Sequence, residues 1–217
     1  MLVGAAGLVA CYPGLTRFET GRPLRAGENQ LAAGVSLTAV GDHAAREDEA
    51  SQALSDVPII APQPELSLRY GVTDTFDVGF RMSFGTLGVT SSVGLLDSGA
   101  VAVALLPGIT YGTAVVAEGI YVDLPIVISV QATDNVVLLG GGRVIAGQMG
   151  KLVGERGADD LLGFGALAGV SIESGGSWLR VELHWLRQRL GDETEIDWIQ
   201  PGVAYGTTWT DAPPTLR

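Results

Sequence analysis

The sequence predicts an all-β chain, an antiparallel up-and-down transmembrane β-barrel of about ten strands. Three observations predict it. The first is the stretch ELSLRYGVTDTFDVGFRMSFG, Glu65 to Gly85. Leu66, Leu68, Tyr70 and Val72 alternate with Glu65, Ser67, Arg69 and Gly71, and Val78, Phe80, Met82 and Phe84 alternate with Asp77, Gly79, Arg81 and Ser83. A period of two is the period of a strand, and the polar join TDTF makes the two runs an antiparallel hairpin. The second is composition. Only 17% of the 217 residues are charged and mean hydropathy is +0.31, yet past the first dozen positions no apolar run reaches the roughly 18 residues of a membrane helix. The third is spacing: short turns fall at every other join, and the joins between them are mostly longer.

The strands follow in order. Gln30–Val40 is the first, and the Pro-containing stretch 41–64 reads as a long polar loop. The quoted hairpin supplies the second and third. Thr86–Leu96 is the fourth, with Leu87, Val89, Val93 and Leu95 on one face. Ala100–Gly112 is the fifth, Ile120–Gln131 the sixth and Val136–Gly147 the seventh. Leu161–Ile172, Trp178–Leu186 and Trp198–Trp209 complete the set. Each runs to roughly 9–12 residues, the length that a tilted strand needs to cross a bilayer. TDTF, DSG, ATDN and ESGGS are the short turns; 41–64, 113–119, 147–160 and 187–197 are the longer joins, and the join near Gly85 is a short exception. Pro107 and Pro125, inside strands five and six, predict bulges or a local kink.

One face of nearly every strand holds Leu, Val, Ile, Phe, Tyr and Trp. The other holds Gly, Ser, Thr and Ala with scattered charges. A soluble barrel would put that second face in water and enrich it in Lys, but Lys occurs once, at Lys151. Gly on a solvent face weakens strands without gain, whereas a narrow lumen wants small residues and a few long polar ones that pair across it. The aromatics are therefore expected in lipid. Glu65, Arg69, Arg81, Asp123, Arg143, Arg180, Glu182 and His184 are expected as a polar network in the lumen. Buried charges must be paired, so a plugged or very narrow bore is expected. Tyr70, Phe76, Trp178, Trp185, Trp198, Tyr205 and Trp209 sit near strand ends and are expected in interfacial girdles.

This layout resembles small bacterial outer-membrane β-barrel proteins from about Gln30 to Trp209. The resemblance implies an outer-membrane location in a Gram-negative cell and contact with outer-membrane lipid. The chain departs from it by continuing past Trp209 as TDAPPTLR. At the other end, Leu8-Val9-Ala10-Cys11 resembles the lipobox of bacterial lipoproteins, which implies acylation of Cys11. No basic residue precedes the apolar run of this signal-peptide-like start, and a plain signal peptide that happens to contain a Cys stays an alternative. The expected divisions are a signal-like segment 1–10, a periplasmic lead-in 11–29, the barrel 30–209 and a tail 210–217.

Chemistry is sparse. Net charge is −11, which argues against nucleic acid as a partner. Acidic stretches at 46–49, 155–160 and 191–197 read as loops that keep the chain soluble and face small solutes or cell-surface partners. A single Cys permits no disulfide within the chain. His43 reads as a solvated loop residue. Glu182-x-His184 puts a carboxylate beside an imidazole on one lumen face. This loosely resembles the omptin proteases, but the omptin pair is Asp-x-His and a second acidic pair has no counterpart here. No Gly-x-Ser-x-Gly elbow, phosphate loop or metal set is present, so no catalytic residue, metal or cofactor is expected. Three roles stay open at this level: a structural, adhesive or narrow-channel barrel; a barrel enzyme using Glu182 and His184; and a soluble barrel binding an apolar ligand.

Overall fold

The computed structural model describes residues 17–42, 59–113, 118–150, 158–190 and 194–210. They form one sheet of eleven segments: β1 Glu28–Asp42, β2 Ile59–Thr73, β3 Phe76–Ser83, β4 Thr86–Asp97, β5 Val101–Leu105, β6 Gly108–Thr113, β7 Glu118–Thr133, β8 Val136–Gly150, β9 Ala158–Ser174, β10 Ser177–Leu190 and β11 Thr194–Thr210. All pairings are antiparallel, and β1 pairs with β11 to close the cylinder. The segments β5 and β6 both pair with β4 and β7. They are the two halves of one strand, so the closed barrel has ten. Closure leaves no sheet edge for lipid to meet unsatisfied.

Leu106 and Pro107 divide that strand, but the ladder is not lost there. Leu106 N donates to Pro125 O at 2.8 Å, and Pro107 O accepts from Ser91 N at 2.9 Å. Pro107 supplies the expected interruption because it has no N–H to donate. Pro125 does not produce one: Leu124, Pro125 and Ile126 stay in register with Val144, Arg143 and Gly142. The register shifts fall at Gly71/Thr73, Gly94/Leu96 and Gln131/Thr133, next to the short turns.

Residues 59–64, expected as loop, are strand. Pairing of β2 with β3 ends at Glu65 and Ser83, whereas β2 stays paired with β1 up to Ile59. Pro62 and Pro64 therefore lie where one side of β2 has no β3 neighbour, a place that tolerates proline. The wall is uneven in consequence. β3 has 8 residues and turns at Phe84-Gly85, while β9 and β11 have 17 each.

The faces divide as the alternation predicts. Leu66, Leu68, Tyr70, Phe80, Ile126, Val181 and Tyr205 point outward, and Arg69, Arg81, Asp123, Arg143, Arg180, Glu182 and His184 are buried inside. An apolar outside on a closed barrel suits lipid and would be a large liability in water. The aromatic girdle needs two corrections. Trp178 is 5% exposed and Trp198 is 2% exposed, both inside the barrel, whereas Trp185, Tyr205 and Trp209 face outward. Strand parity explains it: Trp178 shares the face of Arg180 and Glu182, and Trp198 that of Gln200.

Residues 17–27 carry the largest departure. Expected as periplasmic lead-in, residues 17–24 enter the barrel, with Arg22 exposed at its mouth, and only 25–27 lie outside on the rim. The end with the short turns is the periplasmic end. From Glu28 there, the chain traced backwards climbs the lumen to Arg17 beside Asp123. Residues 1–16, which hold the signal-like segment and Cys11, lie outside the described residues, as do His43, the acidic stretch 46–49 and the tail from 211.

Candidate functional site

The lumen is the site, and it is built in three levels. At the periplasmic level, Arg69 on β2 meets Asp77 on β3 through Nε to Oδ1 at 3.1 Å and Nη2 to Oδ2 at 2.5 Å. The hairpin register brings them together, since Arg69 faces Gly79 and Asp77 faces Gly71. Asp77 Oδ2 also accepts Leu24 N at 2.9 Å. The buried fork-to-carboxylate pair thus holds the threaded segment as well. Gly71 is needed here, because a Cβ on it would strike Arg25 O.

At the middle level, Asp123 on β7 is shared by two arginines. Arg143 on β8 bonds it through Nε at 3.2 Å and again through Nη2. Arg17 of the segment bonds it through Nε at 3.0 Å and donates to Leu106 O at 2.5 Å. Phe18 follows with φ +50°, a backbone conformation that a bulky residue adopts only when its surroundings force it. Those surroundings are visible: Phe18 N donates to Glu182 Oε2 at 3.3 Å, and Arg180 Nη1 donates to Phe18 O. Gly34 on β1 makes room for the ring, since a Cβ there would lie 2.8 Å from it. Lower down, Gly21 N donates to Ser129 Oγ at 2.7 Å. The segment is therefore fixed by side chains of the wall, without a strand ladder of its own.

The Glu182–His184 pair exists, with His184 Nε2 2.8 Å from Glu182 Oε2. Two features count against the open general base weighed from sequence. Glu182 Oε2 also accepts the Phe18 N–H. The void beside the pair, bordered by Arg17, Glu19, Arg143 and Leu167, holds only about 10 Å³, room for about one water. Glu19 Oε2 and His184 Nδ1 are buried without a partner among the described residues, and both residues border that void. A second void of about 10 Å³ lies between Arg17, Phe18, Gly34, Glu65 and Arg81. Glu65 accepts Ser36 Oγ at 3.1 Å.

At the outer level the two walls differ. Tyr121, Ile145, Met149, Leu161, Leu186 and Trp198, from β7 to β11, pack into a buried apolar cluster. Across from it, Gln200 Nε2 donates to Ser36 Oγ at 2.7 Å, Thr38 Oγ1 at 3.0 Å and Gln63 Oε1 at 3.1 Å. Below the segment, a cavity of about 400 Å³ opens at the periplasmic mouth.

All eight sequence-predicted lumen residues thus lie within the barrel. Sequence reasoning missed Arg17 and Glu19, which have no strand pattern, and the structural weight of Asp77. Among the described residues, no group of three or more His, Cys, Asp or Glu gathers as a metal site.

The chain is similar in fold to an outer membrane channel from Pseudomonas putida F1, with TM-score 0.59, 10% identity, and coverage of 91% of this chain and 99% of that one. This is an outer-membrane-type barrel. The outer membrane protease OmpT from Escherichia coli superposes with TM-score 0.44 and 8% identity over 85% of this chain and 96% of that one. Neisserial surface protein A gives TM-score 0.43 and 11% identity over 82% and 97%. No protein-family model matches the chain, and no curated protein matches it. The closed antiparallel barrel with an apolar outside places the chain in the bacterial outer membrane.

Proposed function

We propose that this barrel is a narrow outer-membrane channel held shut by its own N-terminal segment. One observation carries the reading: Arg17 to Leu24 is threaded through the lumen and fixed there by Asp123, Arg180, Glu182, Ser129 and Asp77. Anchors of this kind are separate, exchangeable contacts, unlike a continuous ladder. A chain that only needed a filled core could have filled it from the strands, as the apolar cluster does higher up. The fold shared with a bacterial channel is compatible with this reading.

Single-channel recording in a planar bilayer tests it. The full chain is expected to stay closed or to flicker briefly. A double variant Arg17→Ala, Phe18→Ala is expected to open in discrete, longer steps, because it loses both the bond to Asp123 and the ring beside Gly34. An inserted, folded variant as silent as the parent would show that the wall itself closes the bore.

A further inference from the structure

The strand interruption at Leu106 and Pro107 has a counterpart on β7 that the channel reading does not use. Leu105 pairs with Ile126 and Gly108 with Asp123, so Leu106 lies opposite Pro125. Leu106 N donates to Pro125 O at 2.8 Å. The return bond of such an antiparallel pair runs from the opposite N–H to Leu106 O, and proline has no N–H to give. Leu106 O is thereby left without a ladder partner inside a closed wall, where an unpaired carbonyl is costly. Arg17 Nη1 takes it at 2.5 Å.

Two neighbours complete the fit. Asp123 Oδ2 accepts Arg17 Nε at 3.0 Å and stands 2.9 Å from Nη2. Gly108, directly across the ladder from Asp123, leaves the room: a Cβ there would lie 2.5 Å from Arg17 Nη2 and 3.3 Å from its Cζ. All three guanidinium nitrogens are thus met, by one carbonyl and one carboxylate set around a planar fork. An ammonium is a point charge without that fork and does not replace it at such a site. The N–H that Pro125 lacks, the side chain that Gly108 lacks and the carboxylate of Asp123 all belong to the wall. None belongs to the threaded segment.

From these features we infer that β6 and β7 carry a guanidinium-binding seat. Arg17 occupies it as a built-in ligand. With the Arg17 side chain out of it, the seat takes a guanidinium-bearing solute, such as arginine or an arginine side chain of a peptide. The seat is made of bonds in the closed lumen and requires no conduction, so it stands apart from the gating reading.

Thermal unfolding of the full chain carrying Arg17→Ala, folded in detergent micelles, tests this. The truncation removes the equivalent of an ethylguanidinium ion, so that ion is the probe and ethylammonium its control. Ethylguanidinium is expected to raise the unfolding temperature of Arg17→Ala, at concentrations at least about tenfold below any effect of ethylammonium. The parent, whose seat already holds Arg17, is expected to respond to neither. The double variant Arg17→Ala, Gly108→Ala fills the seat and is expected to lose the response to ethylguanidinium. Where Arg17→Ala folds poorly, refolding yield replaces the unfolding temperature as the readout. No response of Arg17→Ala, an equal response to both ions, a response as large in the parent, or an unchanged double variant would each overturn the assignment.

Discussion

The two halves of the lumen are filled by different means. Toward the outer end, the β7–β11 wall closes on itself with Tyr121, Ile145, Met149, Leu161, Leu186 and Trp198. Toward the periplasm, the strands leave room, and a separate segment occupies it through ion pairs and backbone hydrogen bonds. The difference lies in what each half can release. Apolar side chains on a closed ladder move only if the barrel deforms. The segment is tied by discrete bonds to wall side chains, and on the proposed channel reading it is the part that leaves while the ladder stays intact.

Substitutions separate the two halves. Asp123→Ala carries the largest expected effect, because it strands both Arg17 and Arg143 in the lumen. Breaking a buried pair in this way costs about 3–5 kcal/mol. Thermal unfolding in detergent is expected to fall accordingly, and Arg17→Ala is expected to cost less, since Arg143 keeps the carboxylate. Equal losses from the two variants would mean that Arg17 is the main partner of Asp123. Leu186→Ala empties part of the outer cluster, and large-to-small changes of this kind cost about 2–5 kcal/mol. It is expected to lower the unfolding temperature while leaving single-channel records unchanged; an opened channel would shift the gate to the outer half.

Gly71→Ala is next. Its new Cβ would strike Arg25 O where the segment leaves the lumen, an overpacking cost of about 1–3 kcal/mol. Chymotrypsin cleavage after Phe18 or Leu24 is expected to speed up in folded protein, and unchanged protection would mean that the exit is not confined. Arg22→Ala breaks the pair with Asp97, whose side chains are 42% and 52% exposed. Exposed pairs contribute about 0–1 kcal/mol. Its unfolding temperature is expected to stay close to that of the parent, and a large drop would make this pair a true anchor of the segment.

Much of the wall was legible in the sequence because one rule, alternation, governs it. The rule assigns Arg69, Arg81, Asp123, Arg143, Arg180, Glu182 and His184 to the inner face, and these side chains are buried. Closeness to a strand end is the weaker guide: it puts Trp178 and Trp198 in the girdle, whereas their parity puts them inside, where they are buried. Residues 59–64 were hidden by Pro62 and Pro64, which read as loop until the short β3 shows why β2 tolerates them there. Arg17 to Gly27 carried no period of two because it makes no ladder. An indirect signal was present in Gly34, Gly71, Gly79 and Gly88 on the inner faces of β1 to β4. A wall so small on one side leaves a bore that something else must fill.

Whether the segment sits in the lumen is tested most directly by the reactivity of a thiol placed within it. Phe18→Cys in a Cys11→Ser background gives a chain with one thiol at the middle level. In folded protein inserted in liposomes, a bulky maleimide is expected to leave that thiol unlabelled and to label it fully after unfolding. Labelling of the folded protein as fast as a cysteine on the exposed Asp134–Asn135 turn would contradict a segment held between Glu182, Arg180 and Gly34.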